Sequence, residues 1–152
     1  MSEREEPTVS VLVPARGEER ILPTTLPAII KAAHQLGSAA EVIVITPADS
    51  PALLTPPVDD PILRWLATPR PGKFEALRIG VNAARAGILA LVDADVVMEP
   101  DTFQALSQPL FDGSADVVAG RIDLLPFATG GLESLFERWA LLSFRSWHEL
   151  RL

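Results

Sequence analysis

Ile88-Leu89-Ala90-Leu91-Val92-Asp93-Ala94-Asp95 is the stretch on which the reading of this chain turns. Its first five residues are an unbroken apolar run, where a strand wetted on one face would alternate polar and apolar. The run therefore predicts a strand buried on both faces, as in a parallel sheet packed between helices. It passes without a spacer into two carboxylates separated by one alanine. In open parallel sheets, ligands bind beyond the carboxyl ends of the strands, so this acidic pair is the first candidate for chemistry.

Working outward, the same pattern recurs. Val9 to Val13 is a short β-branched run stopped by Pro14, and Glu41 to Ile45 repeats it ahead of Pro47. Between them a helix is expected from about Pro23 to Leu36, with Leu26, Ile29, Ile30 and Ala33 as its apolar face. Pro27 is tolerable there only in the first turn, where a missing N–H costs nothing. The segment from Pro47 to Pro61 holds five prolines and no periodicity, and reads as a surface loop. Ile62 to Leu66 reads as a third strand. Gly72 to Ala86 reads as a helix with Phe74, Leu77, Val81 and Ala84 on its apolar side. Beyond the opening stretch, Pro100 fits the first position of a helix carrying Phe103 and Leu106, and Val117 to Ala119 fits another short strand. Leu132 to Leu150 has the spacing of an amphipathic helix with Trp139 and Trp147. Four alternations of strand and helix define the class: α/β, a mostly parallel sheet with helices on both faces, in a single domain over 1–152.

Composition narrows the function. With 152 residues, 48% of them hydrophobic, the chain can bury a core, which excludes intrinsic disorder. It has no cysteine, which excludes a disulfide framework, a thiolate zinc site and a cysteine nucleophile. A net charge of −7 argues against nucleic acid as a partner. No run of about 18 apolar residues occurs that would cross a bilayer. Met1 to Pro7 does not read as a signal peptide. A cytoplasmic protein is expected. There is no Ser-His-Asp order, no histidine-rich metal spacing, no Gly-x-Gly-x-x-Gly and no Walker loop, so hydrolase, dehydrogenase and P-loop chemistries lack support.

Four polar clusters fall at the predicted strand ends: Arg16 to Glu19, Asp49-Ser50, Arg70 to Lys73, and Asp93 to Asp95. In extended backbone, residues i and i+2 point to one side, so Asp93 and Asp95 would face one small volume. Two such carboxylates repel unless a cation sits between them. A hard divalent ion, Mg²⁺ or Mn²⁺, takes one or two protein carboxylates and completes its shell with phosphate oxygens and water. The bland alternative is a pair of turn aspartates capping the element near Met98. Lys73 follows Gly72 at a helix start, where an ammonium and backbone N–H groups would face an anion together. The competing reading is a solvated lysine. His34 reads as a surface residue, and nothing pairs with His148.

Val11-Leu12-Val13-Pro14-Ala15-Arg16-Gly17-Glu18-Glu19, Val42 to Ile45, Pro71-Gly72-Lys73-Phe74-Glu75-Ala76-Leu77 and Leu91-Val92-Asp93-Ala94-Asp95 together resemble the nucleotide-sugar-binding half of a family 2 glycosyltransferase with the GT-A fold. Order and spacing agree over residues 8–125. The resemblance implies that Pro14, Ala15, Arg16 and Glu18 hold the nucleoside and that Lys73 stands beside the nucleotide. It further implies that Asp93 lies against the ribose and the metal-bound diphosphate, and that Asp95 ligates Mn²⁺ or Mg²⁺. The donor would be a nucleoside-diphosphate sugar and the acceptor a hydroxyl compound.

The departures matter as well. Gly17 stands where the family usually has asparagine, and Arg78 where it often has asparagine. Thr46-Pro47-Ala48-Asp49-Ser50 replaces the usual Asp-Asp-Gly-Ser turn, so Asp49 would have to serve as the displaced carboxylate against base or ribose. Val97 replaces a polar residue of the polyprenyl-phosphate mannosyl and glucosyl transferases. The acceptor half and the catalytic base, by this resemblance, lie outside these residues, and none of Asp116, Asp123, Glu133 or Glu137 sits in the family's base context. The stripe Leu132, Leu135, Phe136, Trp139, Leu142 and Trp147 fits packing on the sheet, a homodimer contact, or a peripheral helix at the cytoplasmic membrane face beside a lipid-linked acceptor. Two functions follow. One is a metal-dependent glycosyltransferase. The other is a non-catalytic or truncated nucleotide-sugar-binding protein that needs a partner chain. A nucleotidyltransferase is a weaker third option, because its glycine-rich first loop is absent.

Overall fold

The computed structural model describes residues 7–18, 20–37, 40–70 and 72–121. Its elements, in order, are β1 (Val9–Pro14), α1 (Leu22–His34), β2 (Ala40–Pro47), α2 (Pro51–Leu54), β3 (Leu63–Thr68), α3 (Lys73–Ala83), β4 (Ile88–Leu91) and α4 (Thr102–Phe111). The four strands form one sheet in the order β3-β2-β1-β4. All three pairings are parallel, with Val11 opposite Val42 and Ala90, and Val44 opposite Trp65. The sheet and the α/β class follow the apolar runs, but β4 is an edge strand of the four, with Leu89 and Leu91 exposed where burial on both faces was expected.

The strand order dictates where the helices lie. The β1–α1–β2 crossover moves in one direction across the sheet, whereas β3–α3–β4 returns in the other. Right-handed crossovers in opposite directions place their helices on opposite faces. Accordingly, Val9, Val11, Val13, Val42 and Val44 pack with Leu26 and Ile29 of α1 and Phe103 of α4. Leu12, Ile43 and Ile45 pack on the other face against Ala76 of α3. β1 and β2 are central and covered on both sides, and their apolar residues are buried.

Several expectations shift on contact with the structure. The expected apolar side of α3 is buried only in part: Phe74 is 82% exposed and Val81 is also exposed, Leu77 is half-buried and Ala84 packs inward as expected, while Ala76 and Gly80 are buried and Ile79 packs beside them. The reason is a close approach, because a Cβ on Gly80 would stand 3.0 Å from Ile45 Cδ1. Small residues let the helix settle on the sheet, and the bulkier stripe turns away. Pro27 lies inside α1, past the first turn, with its side chain exposed. Pro23, whose carbonyl loses its i+4 partner, is exposed too, so water can satisfy that oxygen. Pro100 precedes the N-cap Asp101 of α4 and so does not hold the first helical position. The proline-rich loop contains the short helix α2, which starts at Pro51. Val117 to Ala119 pairs with no strand among the described residues, and Val117 is exposed. The expected terminal helix, with Trp139, Trp147 and His148, lies outside the described residues, as do Asp123, Glu133, Glu137, Glu19 and Pro71. No described helix is long and apolar enough to cross a membrane.

Candidate functional site

β1 is the switch point of this sheet. The chain steps from β1 to β2 on one side and later returns to pair β4 on the other; the loop leaving β1 toward α1 and the entry to α3 lie on opposite faces and open a crevice at the strands' carboxyl ends, bordered by the loop after β4. That is where the structure has a cleft of about 360 Å³. Pro14, Ala15, Arg16 and Glu18 line it from the loop after β1, Gly72 and Lys73 from the start of α3, and Asp93 to Asp95 from the loop after β4. Of the eight site residues expected from sequence, seven are thus brought together.

Asp49 is the exception. It is exposed in the turn after β2, closed by the Ser50 N–H donating to Pro47 O at 3.0 Å, and it is not among the cleft residues. The two prolines flanking Ala48 and Asp49 in sequence, Pro47 and Pro51, belong to the strand end and the next helix, which leaves this turn short. On the β2–β3 side the cleft is lined instead by Ile45, Pro47 and Thr68.

The loop after β1 is held from within. Ala15 N–H donates to Ile45 O at 2.8 Å, continuing the ladder, and the Arg16 backbone N–H donates to the Glu18 carboxylate. The Glu18 carbonyl in turn accepts from Ile21 and Leu22 at the start of α1. Arg16 and Glu18 therefore sit on a fixed loop between β1 and α1.

Gly72 sets the other wall. Its backbone has φ +150°, which L side chains rarely adopt, and it turns the chain directly into α3. α3 opens without a side-chain cap, the arrangement that suits an anion at a helix N-terminus. Its first residue, Lys73, reaches across the cleft with its ammonium 2.5 Å from Asp93 Oδ1. The solvated-lysine reading is therefore incomplete: Lys73 is exposed yet paired.

The acidic pair is held in a turn, where an extended strand was expected. Val92 N–H donates to Leu12 O at 3.0 Å as the last sheet bond, and Val96 N–H then donates back to Asp93 O at 3.2 Å. Ala94 is buried at 3% exposure while Asp93 and Asp95 are exposed, so both acids project from a turn whose middle residue is anchored in the core. Among the described residues there is no group of three or more acids or histidines placed to hold a metal. Two carboxylates beside an open cleft do fit a hard divalent ion of the kind whose remaining positions go to phosphate oxygens and water.

One contributor had no motif to announce it. The Thr25 hydroxyl, buried at 1% exposure on α1, donates to the Ala94 carbonyl at 2.6 Å. Its signal in the sequence is positional: Leu22, Thr25, Leu26 and Ile29 follow i, i+3, i+4, i+7 spacing, and a hydroxyl interrupts that apolar stripe.

Comparison with known proteins bears on the family and the fold. Residues 10–131 match the family described as glycosyl transferase family 2. No curated protein matches the chain. Among solved structures, the chain is similar to the mannosyltransferase PcManGT from Pyrobaculum calidifontis in complex with GDP-Man and Mn²⁺, with a TM-score of 0.51 and 25% sequence identity. The match covers 64% of this chain and 30% of that chain, so this sequence spans less than a third of that enzyme's length. The fold, the cleft at its switch point and the match over most of its residues lead to one assignment: the chain belongs to glycosyl transferase family 2.

Proposed function

We propose that this chain forms the donor-binding part of a metal-dependent glycosyltransferase, which transfers a sugar from a nucleoside-diphosphate sugar to an acceptor hydroxyl. The observation that carries the reading is the convergence of Asp93, Asp95 and Lys73 on one cleft at the sheet's switch point. Two acids and an ammonium on opposing elements suit a diphosphate that arrives with a cation. The similar mannosyltransferase was solved with GDP-Man and Mn²⁺, which supports the same pairing of ligands here.

In this reading Asp95 would ligate the ion, and Asp93 would lie against the ribose and the metal-bound diphosphate. A bound Mn²⁺ or Mg²⁺ supplies Lewis-acid stabilisation of the negative charge that grows on the leaving diphosphate. Lys73 and the first-turn amides of α3 add fixed positive potential on the same oxygens, preorganised before the reaction starts. Pro14, Ala15 and Arg16 form the wall against which the nucleoside rests, and the Glu18 carboxylate keeps that wall in shape through the Arg16 N–H. Asp49, exposed outside the cleft, is left without a donor-binding role. No residue of the cleft is assigned as the base that takes the acceptor's proton.

The displaced turn at Asp49 also favours a second reading, a nucleotide-sugar-binding protein that needs a partner chain for chemistry. Calorimetric titration of the full chain with UDP, GDP and their sugar conjugates, with and without Mn²⁺, tests the shared premise. Binding that requires Mn²⁺ and is lost in Asp95→Ala is expected. A folded protein that binds none of these nucleotides overturns both readings. Glycosyl transfer by the chain alone to a hydroxyl acceptor separates the first from the second.

A further inference from the structure

We infer that Thr25 is a positioning residue for the acidic pair: its buried hydroxyl holds the Ala94 carbonyl and thereby aims Asp93 and Asp95 into the cleft. The inference rests on the donor-site reading above and assigns to it a residue that touches neither metal nor nucleotide.

The geometry is specific. Thr25 is 1% exposed, and its Oγ1 lies 2.6 Å from Ala94 O and 3.3 Å from Ile21 O. A hydroxyl has one proton, so the short contact to Ala94 takes the hydrogen bond. The Ala94 peptide is the centre of the turn that carries both acids. After Val92 the sheet ladder no longer holds that segment, and the bond from Val96 N–H to Asp93 O closes the turn from its far side. Thr25 ties the middle of the turn to α1, sixty-nine residues away in sequence. The two carboxylates repel and gain nothing from facing each other, so the turn needs an anchor that does not depend on a bound cation. A buried carbonyl deprived of its donor would also seek water, which pulls the turn outward.

Thr25→Val keeps the shape and removes the hydroxyl, whereas Thr25→Ser keeps the hydroxyl. The full chain carrying each change is read in two ways. Amide hydrogen exchange of the ligand-free protein compares Val96, inside the turn, with Val92, the last sheet amide. Calorimetry measures Mn²⁺-dependent binding of GDP and UDP. In Thr25→Val, Val96 exchange is expected to rise on the order of 10-fold more than Val92 exchange, and nucleotide affinity to fall about 10-fold, as for one buried hydrogen bond. Thr25→Ser is expected to restore both. An equal rise at Val92 and Val96 marks a general loss of stability and overturns the inference. So does full retention of nucleotide binding by Thr25→Val when the wild type binds. Failure of the wild type to bind either nucleotide with Mn²⁺ is a different result: it overturns the donor-site reading, and the inference falls with it.

Discussion

Lys73 and Asp93 form an ion pair across the mouth of the cleft, with 2.5 Å between Nζ and Oδ1. Both side chains are more than half exposed, at 64% and 54%. A pair so open to water contributes only about 0–1 kcal/mol to folding. It is therefore cheap to break, and on the proposed function each partner would find a better one in a metal-bound diphosphate: the carboxylate would gain a divalent ion and the ammonium phosphate oxygens. Lys73→Met should leave thermal stability almost unchanged while Mn²⁺-dependent GDP or UDP affinity falls about 10-fold, the scale of one charge-assisted hydrogen bond. Titration of the variant checks it, and unchanged affinity would remove Lys73 from the site.

Gly72 makes a second, separable contribution. Its φ of +150° is open to glycine and strained for any L side chain, although no atom lies within 4 Å of where a Cβ would go. Gly72→Ala is therefore a test of backbone conformation without steric clash. The strain of about 1–3 kcal/mol can be relieved by rotating the chain, which moves the start of α3 and carries Lys73 off its position. Loss of nucleotide affinity with a modest fall in melting temperature is expected. A variant that binds as well as wild type would show that the entry to α3 is not fixed by Gly72.

The sheet was legible because parallel strands buried on both faces carry their own signal: Val9 to Val13 and Val42 to Ile45 have no polar alternation, and both proved fully covered. Arg16, Glu18, Lys73, Asp93 and Asp95 were legible in the cleft because strand-end loops in such sheets meet at one edge, whereas Pro14 and Ala15 came only from the resemblance to the family. What escaped was tertiary. Phe74 and Val81 look like a helix's inner face in the sequence, yet the close seat of Gly80 on Ile45 rotates the smaller residues inward. Asp49 has the right chemistry, but a short turn leaves it outside the cleft. Thr25 and Glu41 matter through partners 69 and 44 residues distant, Ala94 and Arg85, and no local pattern encodes those pairings.

Gly80 therefore offers a test of the helix seat. A methyl group there meets Ile45 Cδ1 at 3.0 Å and both Leu12 Cδ atoms at 3.4 Å, and those side chains are fully buried with little room to retreat. Gly80→Ala sets a helix-propensity gain of about 1 kcal/mol against this tight contact, and should be nearly neutral. Gly80→Val has no such balance and should lose about 1–3 kcal/mol through overpacking. Because α3 carries Lys73, displacement of the helix should also weaken nucleotide binding. Urea unfolding of the two variants, with titration of each, measures both effects.

At the opposite end of the sheet, Glu41 gives the fold a sensitivity to acid. Glu41 is 1% exposed, and its carboxylate accepts from Ser10 Oγ at 2.7 Å, the Arg85 backbone N–H at 2.8 Å, Arg64 Nη1 at 2.7 Å and Arg85 Nε at 3.0 Å. Burial pushes this carboxyl up, but the hydrogen bonds from Ser10, the Arg85 amide and the two guanidiniums outweigh it and hold its pKa at about 2, below the ordinary 4.5. A folded value below the unfolded one means that Glu41 stabilises the protein above pH 4.5, and that this contribution is lost as pH falls toward 2. Glu41→Gln replaces one acceptor oxygen with a donor facing other donors, and should cost about 3 kcal/mol at neutral pH. It should also flatten part of the acid limb of the stability curve. The lowered carboxyls of Asp60, Glu75 and Asp112 are common to both proteins, so the difference between their stabilities isolates Glu41. Unfolding measured from pH 6 to pH 2.5 should show the gap between wild type and Glu41→Gln closing as the pH drops; a gap that stays constant would mean that Glu41 is not charged in the fold.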